Sequence, residues 1–123
     1  PCDITDETAV SDAAAEFRNE FGRIDILIAN AGIGGGAKHA RDIKPADFRR
    51  VIDTNLIGTM NSVAAVLPQM VEEGSGQIVG ISSLAGFRGL PKSAAYCASK
   101  AGMTAFLESV RLDVQKKGVA VTV

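Results

Sequence analysis

The 123-residue chain lacks several features that would place it in a particular class of protein. It has no apolar run near the roughly 20 residues that a membrane-spanning helix needs, and no signal peptide at its N-terminus. Its 13 basic and 14 acidic residues are not clustered, so nothing indicates nucleic acid or an anionic membrane as a partner. Its two cysteines, Cys2 and Cys97, lie far apart without metal-ligand spacing around them. These absences predict a reduced, cytoplasmic protein with two unpaired thiols and no metal site.

The two ends of the chain are also unusual. The chain starts at Pro1 without an initiator methionine, and it stops at Val123 inside an apolar, β-branched run. We therefore expect a fragment or a processed chain. Its length suits one small domain, and 46% apolar with 22% charged residues is ordinary for a globular protein.

Short apolar segments rich in β-branched residues predict three strands, at 24–29, 77–82 and 119–123. The first of these is nearly all apolar, which predicts burial on both faces, as in a parallel sheet. A helix is expected before it, with Thr5 as N-cap and Gly22 at its C-terminal end.

A glycine-rich loop over 30–44 separates the first strand from a long predicted helix over 46–72, with Pro45 at its first position. Pro68 lies inside this helical pattern and is expected to bend the helix or to start a second segment.

The last predicted helix covers 93–117, with Ser93 as its cap and Gly118 as the left-handed residue beyond it. Helices and strands therefore alternate along the chain. This order predicts an α/β fold, a partial Rossmann-like doubly wound parallel sheet in which three strands alternate with three helices that cover both faces. Ligands of such sheets collect at the carboxyl ends of the strands, here Asn30-Ala31-Gly32 and Ser82-Ser83.

Tyr96 and Lys100 are four residues apart near the start of the last helix, so both project from one face. A nearby ammonium group stabilises a phenolate, and the positive end of the helix dipole acts in the same direction. The pair is therefore suited to proton transfer. Taken alone, this spacing is more often a solvated helix face.

Two further polar residues have both a structural and a functional interpretation. Ser83 ends a buried strand, where its hydroxyl faces the ligand crevice or caps a turn; for Ser82 we retain the turn-capping role. Asn55 interrupts the apolar stripe of the helix over 46–72. Because an unpaired buried amide is costly, Asn55 must bond to backbone or to water inside the fold.

Taken together, five segments in one order and spacing resemble the short-chain dehydrogenase/reductase family over the whole chain. They are Asp3-Ile4-Thr5, the strand from Phe21 to Asn30-Ala31-Gly32, the helix segment from Asp53 through Asn55 to Gly58, the strand from Gly76 through Ser83 to Gly86, and Tyr96-Cys97-Ala98-Ser99-Lys100.

The resemblance implies an NAD- or NADP-dependent oxidoreductase that interconverts an alcohol and a carbonyl. In such an enzyme Tyr96 is the general acid or base, and Lys100 assists Tyr96 and bonds the nicotinamide ribose. Ser83 holds the substrate oxygen, and Asn55 positions a water that links Lys100 to solvent.

The resemblance also implies cofactor-binding residues and an assembly. Asp3 and Ile4 hold the adenine, while Asn30, Ala31 and Gly32 line the cofactor. The helices over 46–72 and 93–117 form subunit contacts, so a homodimer or homotetramer is expected. The substrate is a small alcohol or carbonyl compound that the sequence does not identify.

One glycine-rich segment does not fit the phosphate-binding role that its spacing suggests. Gly32 to Ala37 imitates a dinucleotide loop, but no helix opens directly from it and no second strand follows nearby. We interpret it as a flexible segment near the substrate entrance, with His39 solvated. The family's phosphate loop is expected before Pro1 and its substrate lid after Val123, so this chain alone is expected to be inactive.

Two alternatives remain open at this point. A truncated, catalytically silent piece could act as a binding or assembly module through its two long helices. An epimerase or dehydratase that shares the Tyr-x-x-x-Lys spacing is disfavoured by the Asn30-Ala31-Gly32 and Asn55 segments.

Overall fold

The structure, a computed structural model, describes residues 2–36 and 38–123. The α-helices in these ranges are α1 (Glu7–Phe21), α2 (Pro45–Ile52), α3 (Gly58–Glu73) and α4 (Ala94–Val114). The strands in the same ranges are β1 (Ile26–Ala29), β2 (Gly76–Gly80) and β3 (Val119–Thr122). Short 3-10 turns occupy Ala40–Asp42 and Leu84–Gly86, and Ala37, where the rejected glycine-rich pattern ends, lies outside the described residues.

The strands form one parallel sheet in the order β1-β2-β3. Ile26 lies opposite Gln77, and Gly76 lies opposite Val119. Helices connect each strand to the next, as parallel pairing requires. The predicted α/β, Rossmann-like fold is confirmed.

The helices cover one face of this sheet. Ile78 and Val121 are buried beneath them, whereas Ile26 and Ile28 on the opposite face are 57% and 62% exposed. The expectations of helices on both faces and of a first strand buried on both faces are therefore wrong for this chain. Both crossovers step in the same direction, and right-handed crossovers in one direction place their helices on the same side.

The apolar core fills the space between that face and the helices. Its fully buried members come from α3, β2 and α4: Val63, Met70, Ile78, Met103 and Leu107. No helix in the described part of the chain is both long and apolar enough to cross a membrane.

Two predicted helix caps are corrected by the structure. Asp6 caps α1, and its carboxylate accepts a hydrogen bond from the Ala9 N–H at 3.0 Å. The Thr5 hydroxyl is already committed to Asp3, which explains why it does not cap. Ser93 is the residue before α4 but its hydroxyl donates to the Pro91 carbonyl, so it does not cap through its side chain.

The long helix predicted over 46–72 is continuous from Pro45 to Glu73 but is not regular. Its irregularity is a π turn at Asp53–Ile57, in which the Gly58 N–H donates to the Asp53 carbonyl five residues earlier. Pro68 lies inside α3 without dividing it, so the expected second segment does not start there. A π turn of this kind is frequent at functional sites.

Candidate active site

Tyr96 and Lys100 form a close pair in the first two turns of α4. The Lys100 Nζ lies 5.9 Å from the centre of the Tyr96 ring. Their four-residue spacing places both on one face of the helix, as the sequence predicts.

The Lys100 side chain is buried. The residue is only 4% exposed, and its Nζ donates to the Ile81 carbonyl just beyond β2 at 2.6 Å. Within residues 2–36 and 38–123 it takes part in no ion pair. Because burial disfavours the charged form, the pKa of Lys100 lies below its usual value.

Asn55 lies in the π turn and is completely buried. Its Oδ1 accepts the Ile33 N–H at 2.7 Å, and its Nδ2 donates to the Ile33 carbonyl at 2.9 Å and to the Ser99 hydroxyl at 3.0 Å. The prediction that this buried amide must bond to the backbone is confirmed. Its side chain clamps the loop that follows β1 against the helices.

Gly32 fits between these groups because it has no side chain. A Cβ on Gly32 would lie 3.2 Å from Asn55 Oδ1 and 3.7 Å from Lys100 Nζ. The first of these distances is tighter than an ordinary contact. The loop after β1, the π turn and Lys100 therefore meet at one point.

Ser99 is a member of this cluster that the sequence reasoning missed. It is fully buried, and its hydroxyl donates to the Tyr96 carbonyl at 2.8 Å while accepting from Asn55 Nδ2. Ser99 thus connects the π turn to the turn of α4 that carries Tyr96. The only signal in the sequence was a serine beside the lysine of the motif, and such a serine has no distinctive spacing.

The turn after β2 is capped by Ser83 and not by Ser82. Ser83 is the residue that caps the following 3-10 turn, since its hydroxyl accepts the Ala85 N–H at 3.2 Å. The Ser82 hydroxyl instead bonds the Thr104 hydroxyl of α4 at 2.8 Å, so the capping role assigned to Ser82 is wrong. The Ser83 hydroxyl proton is not used by this contact and is free to be donated.

Three of the residues predicted to bind a cofactor lie together beside the start of α3. Ile4, Asn30 and Ala31 line one cavity of about 80 Å³ next to Gly58. A Cβ on Gly58 would come within 2.5 Å of Ile4 Cδ1, so this glycine allows Ile4 to pack closely.

Asp3 lies in a neighbouring open cleft rather than in that cavity. Its carboxylate accepts hydrogen bonds from both the N–H and the hydroxyl of Thr5, each at 2.9 Å. These bonds stabilise the charged form and lower the pKa of Asp3. An ionised carboxylate is thus held in this cleft.

The loop beyond Gly32 does not open into a helix. The next helix begins at Pro45, and His39 between them is exposed. This arrangement agrees with the rejection of Gly32–Ala37 as a phosphate loop over the residues that the structure describes.

Comparison with known proteins identifies the family. The short chain dehydrogenase family model matches residues 1–123. An uncharacterised oxidoreductase of Myxococcus xanthus is 46% identical over 120 residues, which cover 98% of this chain and 47% of that protein. A 2-dehydro-3-deoxy-L-rhamnonate dehydrogenase (NAD(+)) of a Sphingomonas species is 41% identical over 117 residues, covering 95% and 47%. This chain belongs to the short chain dehydrogenase family, and it spans about half the length of these curated relatives.

Solved structures agree with this assignment. NAD+-bound xylitol dehydrogenase superposes with a TM-score of 0.93 and 35% identity, over 98% of this chain and 48% of that one. A metagenomic short-chain oxidoreductase in complex with NADP superposes with a TM-score of 0.90 and 32% identity, over 98% and 54%. The resemblance to short-chain dehydrogenases is confirmed.

Proposed function

We propose that this chain carries the acid–base half of an NAD- or NADP-dependent oxidoreductase that interconverts an alcohol and a carbonyl. The observation that carries this proposal is the convergence of Gly32, Asn55, Tyr96 and Lys100 at the carboxyl end of a parallel sheet. Such edges are where α/β sheets bind their ligands. Family membership and the complexes of related structures with NAD+ and NADP support the choice of cofactor.

The residues present fit a nicotinamide cofactor. Asp3 and Ile4 would hold the adenine end, and Asn30, Ala31 and Gly32 would line the middle. A Cβ on Gly32 would fill space beside Asn55 and Lys100, so a glycine leaves the backbone open to close approach. When bound, the cofactor supplies or accepts the hydride.

Tyr96 is the proton donor in carbonyl reduction and the proton acceptor in alcohol oxidation. The Lys100 ammonium, buried and without a counter-charge in the described chain, favours the phenolate that remains after the proton leaves. Lys100 would also bond the nicotinamide ribose. Ser83 keeps its hydroxyl proton available and would donate it to the substrate oxygen.

Asn55 acts as a positioning residue in this mechanism. Both of its amide protons and its oxygen are occupied by Ile33 and Ser99. The side chain therefore holds the loop and α4 in place. The water that would link Lys100 to solvent is assigned to polar groups close to Asn55 and not to its side-chain amide. Completeness of this set favours an enzyme over a silent assembly module.

Replacement of Tyr96 by Phe in the complete gene product tests the proposal. We expect turnover to fall by about 10²- to 10⁴-fold, the usual contribution of general acid–base catalysis. Binding of NAD+ or NADP, measured by fluorescence titration, is expected to change little, because the ring and its packing remain. Unchanged turnover would exclude Tyr96 as the proton-transfer group.

We also propose that the protein assembles as a homodimer or homotetramer through the helical surfaces over 46–72 and 93–117. The family resemblance implies this arrangement, and exposed apolar side chains on these helices support it: Ile57, Met60 and Leu112. The relatives bear names for different substrates, so no individual substrate is carried over to this chain.

A further inference from the structure

A pocket beside Tyr96 carries an excess of positive charge that the proton-transfer mechanism does not use. It lies between the loop after β1, the start of α2 and the start of α4. Three lysines line it, Lys38, Lys44 and Lys92, against a single acidic residue, Asp47, among the described lining residues. Phe48 supplies an apolar wall. The excess is two positive charges.

Only one of the three lysines is neutralised locally. Lys38 Nζ forms a short ion pair with the Asp47 carboxylate. Within the described ranges, Lys44 and Lys92 take part in no ion pair. The pKa of Asp47 lies below its usual value, chiefly through the bond from Lys38 and further through Lys44 and Arg50, so this acid stays charged and its one counter-charge is already used.

The backbone conformation at Lys92 connects two of the segments that carry these lysines. Lys92 adopts φ +60°, a conformation that is uncommon for residues other than glycine, asparagine and aspartate. Its carbonyl accepts the Lys38 N–H at 3.1 Å, which joins the loop after β1 to the turn before α4. Such local strain is concentrated at functional sites.

We propose that this pocket binds an anionic group of the substrate, so that the enzyme acts on alcohols or carbonyl compounds that carry a carboxylate or another acidic group. The inference rests on the proposed function, because Tyr96 forms part of the same pocket. The acidic group would lie near Lys44 and Lys92 while the reacting oxygen faces Tyr96. A pocket with one sign of charge also concentrates oppositely charged ligands.

The test compares matched acids and neutral esters on the complete gene product. The probes are 2-oxo, 3-oxo and 4-oxo acids of four to six carbons, each beside its methyl ester, with NADH and with NADPH. We expect at least one acid to exceed its ester in kcat/KM by about tenfold or more, the order expected for two exposed charge contacts, with the difference mainly in KM. Rising salt should reduce the difference.

Two variants assign that preference to the lysines. Lys44→Glu with Lys92→Asn changes the net charge of the pocket lining from +2 to −1, and asparagine tolerates the backbone conformation at position 92. We expect the acid's KM to rise about tenfold while the ester is unaffected. The matched control, Lys116→Glu with Lys117→Asn, makes the same charge change just beyond the C-terminal end of α4 and should leave the KM of both substrates unchanged.

Ligand-observed NMR with 4-oxopentanoate and its methyl ester separates the two proposals. If the wild type binds the acid and the pocket variant does not, the anion site is supported even if no compound is turned over. Absence of turnover in that case counts against the proposed reaction alone. Esters that bind and react as well as the acids, or an acid preference that the pocket variant retains, would overturn the anion site while leaving the oxidoreductase proposal intact.

Discussion

At the residue scale, the most informative feature is a buried lysine that has no acidic partner among the described residues. Lys100 donates one bond to the Ile81 carbonyl and lies beside the Tyr96 ring. A charge held in this way costs stability, since burial removes the hydration of the ammonium. Under the proposed function, the site retains a charged group that proton transfer needs and folding does not.

Replacement of Lys100 by Met is expected to stabilise the fold while abolishing turnover. Methionine fills a similar volume without a charge, and we expect a gain of about 1 kcal/mol in the free energy of unfolding at pH 7, as for other buried charges replaced by apolar groups. The gain should shrink at alkaline pH. Lys100 loses its proton at a lower pH in the folded protein than in the unfolded chain. The stability of the wild type therefore rises relative to the variant as the pH increases from the folded-state pKa of Lys100 to about 10.4, the ordinary lysine value.

Urea denaturation at pH 7 and at pH 10 measures this difference. Lys116→Met is the control, because Lys116 is exposed and its substitution should change the free energy of unfolding by less than about 0.5 kcal/mol at both pH values. A Lys100→Met protein that is clearly less stable than wild type at pH 7 would show that the Ile81 bond outweighs the burial of the charge.

At the element scale, the site depends on where regular structure is interrupted. The π turn places Asn55 toward Ile33 and Ser99, so that a loop, a helix and the start of α4 are connected through one amide. A regular helix would present its side chains at a different angle from that point onward.

A second structural requirement is the close contact of two turns. One turn connects α3 to β2, and the other connects α4 to β3.

Glycine at position 118 is expected to be indispensable for that contact. Gly118 has φ +73°, and a Cβ there would lie 1.9 Å from the Gly74 carbonyl oxygen. We expect Gly118→Ala to destabilise the fold by at least about 3 kcal/mol, because the clash with backbone adds to the conformational cost.

Gly74→Ala provides the matched control for this substitution. Gly74 also has a left-handed conformation, φ +64°, but its Cβ would meet nothing within 4 Å. It should therefore cost only about 1 to 2 kcal/mol, the conformational term alone. Thermal or urea unfolding measures both variants, and equal losses would argue against the close contact at Gly118.

At the scale of the whole molecule, one face of the sheet is covered by helices and the other is open. Ile26, Ile28 and Ile81 are exposed on the open side, and within the described residues β1 and β3 each pair with β2 alone. Open strand edges and apolar faces favour association with other chains.

The 123-residue chain, purified by itself, is therefore expected to self-associate through this face. Sedimentation velocity should show species larger than a monomer. The fluorescence of ANS, a dye that binds exposed apolar surface, should rise when the chain is added. Ile28→Lys places a charge in the open face and should increase the monomer fraction without reducing helix content, measured by circular dichroism.

Leu112→Lys distinguishes this contact from the proposed helical assembly. Leu112 is exposed on α4, on the surface expected to mediate the homodimer or homotetramer. In the isolated chain it should have little effect, whereas in the complete gene product it should shift the protein toward monomers. A wild-type chain that is monomeric and binds no ANS would contradict the role of the open face.

The sequence by itself determined the order of the elements and most of the candidate site. Alternating apolar segments predict the parallel sheet because their periodicity is local. Tyr96 and Lys100 could be recognised by their four-residue spacing near the start of a helix. Asn55 could be recognised as a polar residue within an apolar stripe. The family resemblance added roles that spacing alone could not support.

Only the tertiary structure decided which groups satisfy one another. That Asn55 bonds Ile33 and Ser99, that Ser83 rather than Ser82 caps its turn, and that Lys38, Lys44 and Lys92 line one pocket depend on contacts between residues far apart in the chain. The covered and open faces of the sheet were likewise undetermined. Local periodicity specifies which side chains share a face, whereas the direction of the crossovers specifies which face is covered.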